Sequence, residues 1–275
     1  MSDLYAVMGN PINHSKSPQI HSAFAEQTQQ DLIYSAILVP LEKFKDAADS
    51  FFRTGRGLNV TVPFKEDAWQ YADTYSSRAL RAGAVNTLIK KEDGSIHADN
   101  TDGIGMVRDI VVNNGCEIAG KRVLVLGAGG AVRGILEPVL EQKPLEVVVA
   151  NRTLSKAQTR AADFSDLGKI SGCGYDHVEG QFDLVINGTS ASLSGELPPI
   201  PESVIHLETT CYDMMYGAQP TVFNQWAQSL KAAVMLDGLG MLVEQAAESF
   251  YAWRGVRPET TVVINSIRES MSLAC

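Results

Sequence analysis

A run of small residues, Gly127-Ala128-Gly129-Gly130-Ala131, stands directly behind the apolar stretch Arg122-Val-Leu-Val-Leu126. Glycine is needed where a chain must turn tightly and let an anion touch backbone N–H groups at a helix start. A second signal lies where the next strand should end: Asn151-Arg152-Thr153, with Lys156 one turn on. A dinucleotide site places its ribose-recognising group here, roughly 20 residues beyond the turn. An acidic residue at that place accepts from a free 2′-hydroxyl and repels a 2′-phosphate. Arginine offers the phosphate a planar fork of donors, each charge-assisted bond contributing about 1.5–3 kcal/mol. The pattern predicts a dinucleotide-binding βαβ unit over 121–156 that favours NADP over NAD. Its cofactor residues are Gly127, Ala128, Gly129, Gly130, Ala131, Asn151, Arg152, Thr153 and Lys156.

Four polar clusters in the first hundred residues fall at strand ends or helix starts. Ser15-Lys16-Ser17 precedes a helix, where two hydroxyls and free N–H groups suit a carboxylate. Spacing alone favours Ser17 as an N-cap and Ser15 as a turn residue. In Asn59-Val-Thr61-Val-Pro63-Phe-Lys65, proline marks a first helical turn, which puts Lys65 at the positive end of the helix dipole, where lysine is disfavoured. In Asn100-Thr101-Asp102-Gly103, spacing alone favours Asp102 as an N-cap over a site carboxylate, with Asp99 as a competitor. Ala84-Val85-Asn86-Thr87 puts an amide beside a strand, where it can read a hydroxyl. His14 and His21 are isolated and read as structural or solvated, and Trp69, Trp226 and Trp253 read as packing residues on helical faces.

The elements that must position these groups follow from periodicity. Strands are predicted over 4–8, 33–39 and 58–62, helices over 18–27 and 42–53, and a hairpin of 84–90 with 95–98 through Glu92-Asp93-Gly94. The pattern then resets: a helix over 103–113, then strands at 122–126, 146–150, 183–187, 209–212 and 232–236 separated by helical or loop segments, which predicts a doubly wound parallel sheet. A long amphipathic helix follows Asp237-Gly238-Leu239-Gly240, and a last helical segment follows Pro258. The expectation is an α/β protein with an N-terminal α/β domain, 1–102, and a Rossmann-like domain, 103–238. The C-terminal helices, 239–275, are expected to return to the first domain.

Composition narrows the function classes. The chain has 275 residues, 45% hydrophobic and 20% charged, as ordinary globular proteins do. Its net charge of -9 opposes nucleic acid as a partner, so an anionic ligand needs a local cationic cluster. Cys116, Cys173, Cys211 and Cys275 have no metal-ligand or redox spacing. No leader is visible at Met1-Ser2-Asp3-Leu4 and no apolar run is long enough for a membrane span. A reducing cytoplasm fits these features.

Eight motifs in order carry a resemblance over nearly the whole chain: Ser15-Lys-Ser17, Asn59-Val-Thr61-Val-Pro-Phe-Lys65, Gly83-Ala-Val-Asn86-Thr, Asn100-Thr-Asp102-Gly, Gly127-Ala-Gly-Gly-Ala131, Asn151-Arg-Thr153, Cys211-Tyr-Asp-Met214-Met-Tyr216 and Gly238-Leu-Gly-Met-Leu-Val-Glu-Gln245. Together they closely resemble the shikimate dehydrogenase family of the bacterial, NADP-dependent kind. The resemblance implies reversible reduction of 3-dehydroshikimate to shikimate, on the route to chorismate and the aromatic amino acids, with the substrate held in a cleft between two domains. It implies that Ser15 and Ser17 hold the carboxylate and that Thr61, Asn86, Asp102 and Gln245 read ring hydroxyls. Tyr216 is then expected to approach the substrate, with Met214 and Gly238 on the nicotinamide side. Lys65 becomes the acid–base residue and Asp102 its partner, and a homodimer is a further expectation. Ser77 stands where many relatives carry an acidic residue, and the loop Ala191-Ser-Leu-Ser-Gly195 differs slightly from the commonest form.

A lysine in water keeps its proton near neutrality, so Lys65 is expected to act chiefly as a cationic acid and oxyanion stabiliser in the reductive direction. Two rivals remain at this level: a quinate/shikimate dehydrogenase that also uses NAD, and a dinucleotide-sensing module without turnover. Arg152 with Lys156 opposes the first, and the presence of both Lys65 and Asp102 opposes the second.

Overall fold

Apolar side chains alternate along Asp3–Gly9 (β1): Tyr5 and Val7 enter one buried cluster, Ala6 and Met8 another. A strand buried on both faces needs cover on both, which is the condition of an α/β layer. The computed structural model describes residues 2–273; Cys275 lies outside them. The chain divides into two compact units, 1–105 with 243–263 and 106–242 with 264–275.

In the first unit β1 pairs in parallel with Leu32–Leu38 (β2) on one side and Gly55–Val60 (β3) on the other. The crossovers carry Ser17–Thr28 (α1) and Phe44–Phe51 (α2). Lys65–Tyr71 (α3), Thr74–Tyr75 (β4), Ser77–Ala82 (α4), Thr87–Lys90 (β5), Ile96–Asp99 (β6) and Asp102–Arg108 (α5) follow. The sheet order is β2-β1-β3-β5-β6-β4, and β5 runs antiparallel to both neighbours, so the sheet is mixed. The hairpin expected around 92–94 is present, with Gly94 at φ 87. The third strand starts and ends earlier than 58–62, because Pro63 lacks the N–H that a ladder needs. The elements β4 and α4 were not expected; each is shorter than one periodicity window.

In the second unit, Arg122–Leu126 (β7) sends Val123 and Val125 into one core and Leu124 and Leu126 into the opposite one. Gly130–Glu141 (α6), Glu146–Ala150 (β8), Leu154–Asp163 (α7), Ile170–Cys173 (β9), Leu184–Asn187 (β10), Thr210–Asp213 (β11), Val222–Ser229 (α8) and Val234–Asp237 (β12) follow. Their order is β12-β11-β10-β7-β8-β9, all parallel, which is the doubly wound sheet read from the sequence. The strand β9 was missed: its Ser171-Gly172 centre interrupts the apolar run.

Two more expectations are corrected. The helix 103–113 is α5 followed by a wider turn, Asp109–Asn113, in which buried Asp109 accepts from the Tyr212 hydroxyl at 2.8 Å. The C-terminal helices are Leu239–Arg254 (α9) and Thr261–Leu273 (α10). Residues 243–263 group with the first unit, whereas 264–275 group with the second, where Arg268 bonds Asp237 and the Gly217 carbonyl. Among the described residues no helix is long and apolar enough to cross a membrane.

Candidate active site

Ligands of parallel α/β sheets sit beyond the carboxyl ends of the strands. In the first unit, Ser15 and Ser17 follow β1, and Thr61 and Lys65 follow the adjacent β3. The two loops touch: Asn10 N–H donates to the Val62 carbonyl at 3.0 Å, and Thr61 N–H to that of Met8 at 3.0 Å. Ser17 is the first residue of α1 rather than its cap. Lys16 holds the cap position and makes no side-chain capping bond, while the Ser17 N–H donates to the Ser15 hydroxyl at 3.3 Å.

Lys65 is the first residue of α3, at the positive end of that helix as read from Pro63. Its charge is met by Asp102, the first residue of α5, with Nζ to Oδ2 at 2.5 Å. Their side chains are 30% and 18% exposed, so the pair is sheltered yet reachable. The other carboxylate oxygen, Oδ1, accepts from Asn86 Nδ2 at 2.9 Å. That amide is 3% exposed and also donates to Thr101 Oγ1 at 2.9 Å and Gln245 Oε1 at 3.3 Å. Six of the expected residues thus form two groups in this unit: Lys65, Asp102, Asn86 and Gln245 by direct bonds, and Ser17 with Ser15 on the neighbouring loop. Thr61 points its methyl towards Gly9, and no side-chain hydrogen bond ties it to these groups.

A buried row behind Asn86 was not read from the sequence. Asn59 Nδ2 donates to Ser249 Oγ at 3.0 Å and to Thr87 Oγ1 at 3.2 Å, while its Oδ1 accepts from the Tyr34 hydroxyl at 2.7 Å. Thr87 donates onward to Asn86 Oδ1 at 2.9 Å, which also takes the Thr101 N–H at 2.9 Å. Asn59 lies 25 residues from Tyr34, 28 from Thr87 and 190 from Ser249, out of reach of any spacing rule. Asp99, the possible competitor of Asp102, is spent elsewhere: Arg78 binds it through Nε (2.7 Å) and Nη2 (2.5 Å), and Ser76 at 2.6 Å. Burial pushes the Asp99 carboxyl up, but Arg78 and Ser76 outweigh it and hold it below the usual range. His21 is a core residue, stacked on Tyr34 at 4.1 Å, and burial drives its imidazole down to about 3.

In the second unit, β7 is followed directly by Gly127, whose φ of 102 is open to glycine and strained for other residues. A Cβ on Gly129 or Gly130 would meet no protein atom within 4 Å. Internal packing therefore does not require glycine at either place, whereas a phosphate on the backbone does. Gly129 caps α6 with no side-chain bond, leaving the first-turn N–H groups for a ligand. Ala128 and Ala131 complete this turn. Thr153 holds the cap of α7 and its hydroxyl makes no capping bond either. Arg152 and Lys156 are exposed, and among the described residues neither side chain makes a hydrogen bond or ion pair. Asn151 Nδ2 steadies the same turn on the Thr153 carbonyl at 3.0 Å. A phosphate-bearing dinucleotide fits this donor set.

The far end of that sheet supplies Met214, Tyr216 and Gly238. Met214 follows β11 and is 8% exposed; its N–H donates to the Asn187 carbonyl at 3.0 Å. Gly238 packs so closely that a Cβ would lie 2.1 Å from the Met214 carbonyl oxygen, so backbone contact fixes the glycine here. Tyr216 is 36% exposed, and burial, then the Asp237 charge, raises its phenol. The Asn187–Asp213–Ser192 bonds that hold this rim were not read from the sequence.

Comparison with known proteins agrees with the motif order. Residues 7–88 match the shikimate dehydrogenase substrate binding domain, 109–194 the shikimate/quinate 5-dehydrogenase model and 238–268 the shikimate 5′-dehydrogenase C-terminal domain. The chain is 61% identical to the shikimate dehydrogenase (NADP(+)) of Cellvibrio japonicus, over 98% of this chain and 99% of the relative. It is 58% identical to that of Alkalilimnicola ehrlichii, over 98% and 99%. Among solved structures, shikimate 5-dehydrogenase from Thermus thermophilus in complex with NADP(H) and shikimate superposes with TM-score 0.87 at 30% identity, covering 98% of this chain and 99% of that one. An Ael1 enzyme from Pseudomonas putida superposes with TM-score 0.93 at 47% identity, covering 96% and 98%.

Proposed function

The chain belongs to the shikimate dehydrogenase family and is an NADP-dependent oxidoreductase interconverting 3-dehydroshikimate and shikimate; within that activity, we propose that Lys65 and Asp102 carry the proton transfer. The observation behind this assignment is the 2.5 Å Lys65–Asp102 contact, with both residues at helix starts and Asp102 tied to buried Asn86. When bound, the cofactor supplies the hydride. In reduction, Lys65 Nζ gives its proton to the ketone oxygen as that oxygen gains charge. Asp102 holds the ammonium on line. Asn86, Thr61, Asp102 and Gln245 then read ring hydroxyls, and Ser15 and Ser17 receive the carboxylate.

For the cofactor, the first-turn N–H groups of α6 take the pyrophosphate and Arg152, Thr153 and Lys156 take the 2′-phosphate. Met214, Tyr216 and Gly238 are assigned to the nicotinamide and substrate end. A cytoplasmic site of action rests on Cys116, Cys173 and Cys211, free thiols among the described residues, and a homodimer on the family likeness alone; sedimentation of the purified chain decides the latter. The functional assignment is tested by turnover with shikimate or quinate and NADP or NAD, followed by nicotinamide absorbance. Robust turnover with shikimate and NADP supports it; equal turnover with quinate and NAD refutes the specificity.

A further inference from the structure

Two arginines near the glycine turn retain unspent donors. Arg133 closes the first turn of α6; its Nε is buried without a hydrogen-bond partner, and among the described residues it forms no ion pair. Arg160 stands two turns into α7. Its Nη1 bonds Asp163 at 2.8 Å and its Nη2 rests on the Ala128 carbonyl of the glycine turn at 3.4 Å, while its Nε is also buried and unpartnered. Burial, then repulsion from the Arg133 charge, holds Arg160 below the ordinary arginine range. Buried donors without acceptors are costly, and the like charge of Arg133 adds to that cost for Arg160.

A pocket of about 310 Å³ opens beside them, lined by Ala128, Ser155, Lys156, Thr159 and Arg160. The pairs Ser155/Thr159 and Lys156/Arg160 are each four residues apart on α7, so two hydroxyls and two cations share one flank. An adenine ring gains little from such a wall. A phosphomonoester, with three acceptor oxygens and a charge of about -1.5 to -2, satisfies it.

We propose that Arg160 is a further specificity-determining residue for NADP, reaching from this pocket the 2′-phosphate already given to Arg152, Thr153 and Lys156, with Arg133 as the charge behind it. The inference rests on the NADP reading and deepens it. The pocket lies along α7, the helix that follows β8, at whose end the ribose is recognised; the pyrophosphate belongs to the α6 N-terminus instead. Arg152 meets the phosphate from the exposed strand end. Arg160 meets it from the helix flank and ties it to the glycine turn through Ala128.

The test is calorimetric titration of the full chain with 2′,5′-ADP and with 5′-ADP, comparing wild type, Arg160→Gln, Arg160→Lys and Arg133→Gln. Arg160→Gln is expected to weaken 2′,5′-ADP by about tenfold to a hundredfold and to leave 5′-ADP within about twofold. Arg160→Lys, which keeps the charge and loses the fork, should fall between, and Arg133→Gln should act in the same direction but less. Equal losses for both nucleotides would place Arg160 on the pyrophosphate or in the fold, and unchanged affinity for both would remove it from the site; either result overturns the proposal. If wild type itself does not prefer 2′,5′-ADP, the NADP reading fails first, irrespective of Arg160.

Discussion

Replacing Lys65 by methionine keeps the length and the unbranched stem of the side chain while removing its proton and charge. The ion pair it breaks is partly exposed, at 30% and 18%, so its contribution to stability is at most about 1 kcal/mol. Asp102 keeps the Asn86 amide at 2.9 Å, and water can reach the freed oxygen. The kinetic loss is far larger: a positioned general acid contributes about 10²–10⁴ in rate, equivalent to roughly 3–5 kcal/mol in the barrier. The two effects therefore separate cleanly. Steady-state kinetics with NADPH and 3-dehydroshikimate should give kcat lower by two to four decades with KM within a few-fold, while the urea midpoint moves little. A pure KM effect would reduce Lys65 to a binding residue. A large fall in the urea midpoint would show that the pair supports the fold, and the reasoning would be wrong.

Three further outcomes follow from named contacts. Ser249→Ala removes the hydroxyl that accepts from Asn59 at 3.0 Å, but Asn59 Nδ2 keeps Thr87 and the Asn86 carbonyl, each at 3.2 Å. A loss of about 1 kcal/mol in stability is expected, together with a raised KM for shikimate and an unchanged KM for NADP; a change in the NADP value would deny the row its role behind Asn86. Gly129→Ala meets open space in the protein, so the urea midpoint should hold while NADPH binding weakens; equal binding would place the phosphate elsewhere. His21 is neutral in the folded chain down to about pH 3, whereas unfolded histidine takes a proton near 6.5. Its contribution is therefore complete above that value and is lost as pH falls below it, by roughly 1.4 kcal/mol per pH unit. Urea midpoints between pH 7 and 4 should fall less steeply for His21→Phe, and parallel slopes would contradict the burial argument.

The second sheet was legible because its strands other than β9 and β11 are built on short apolar runs between turn signals, and because a glycine turn must join a strand to a helix. Lys65 was legible for the opposite reason: a cation at a helix start violates local electrostatics, and such a violation marks a site. Other features lacked any local signature. Ser249 is one hydroxyl on a long helix, and its partners Asn59 and Thr87 come from β3 and β5. Asp99 and Asp102 are both acids near a helix start; only the position of Arg78 on α4, an element too short to predict, decides between them. The grouping of 264–275 with the second unit depends on Arg268 reaching Asp237, a pairing 31 residues apart.

An acidic chain that takes an anionic cofactor needs its attraction to be local. The net charge is -9, yet near 0.15 M salt its field fades within about 8 Å. Around the glycine turn, Lys156 and Arg160 line one pocket with Ala128, Arg133 closes the first turn of α6 and Arg152 follows β8; Asp163 offsets Arg160, and Arg133 and Arg160 each keep a buried donor that salt does not screen well. The free-energy difference between NADPH and NADH binding should therefore carry a screened part from exposed Arg152 and Lys156 and a persistent part from Arg160. Titrations in rising potassium chloride, from about 0.05 to 0.5 M, should first narrow the preference for NADPH and then level off above unity, because the Debye length falls towards a few ångströms only near about 1 M. In Arg160→Gln the plateau should vanish. A preference independent of salt would mean that shape and neutral hydrogen bonds select the cofactor. A preference that collapses completely in wild type would mean that exposed cations do all of the selecting.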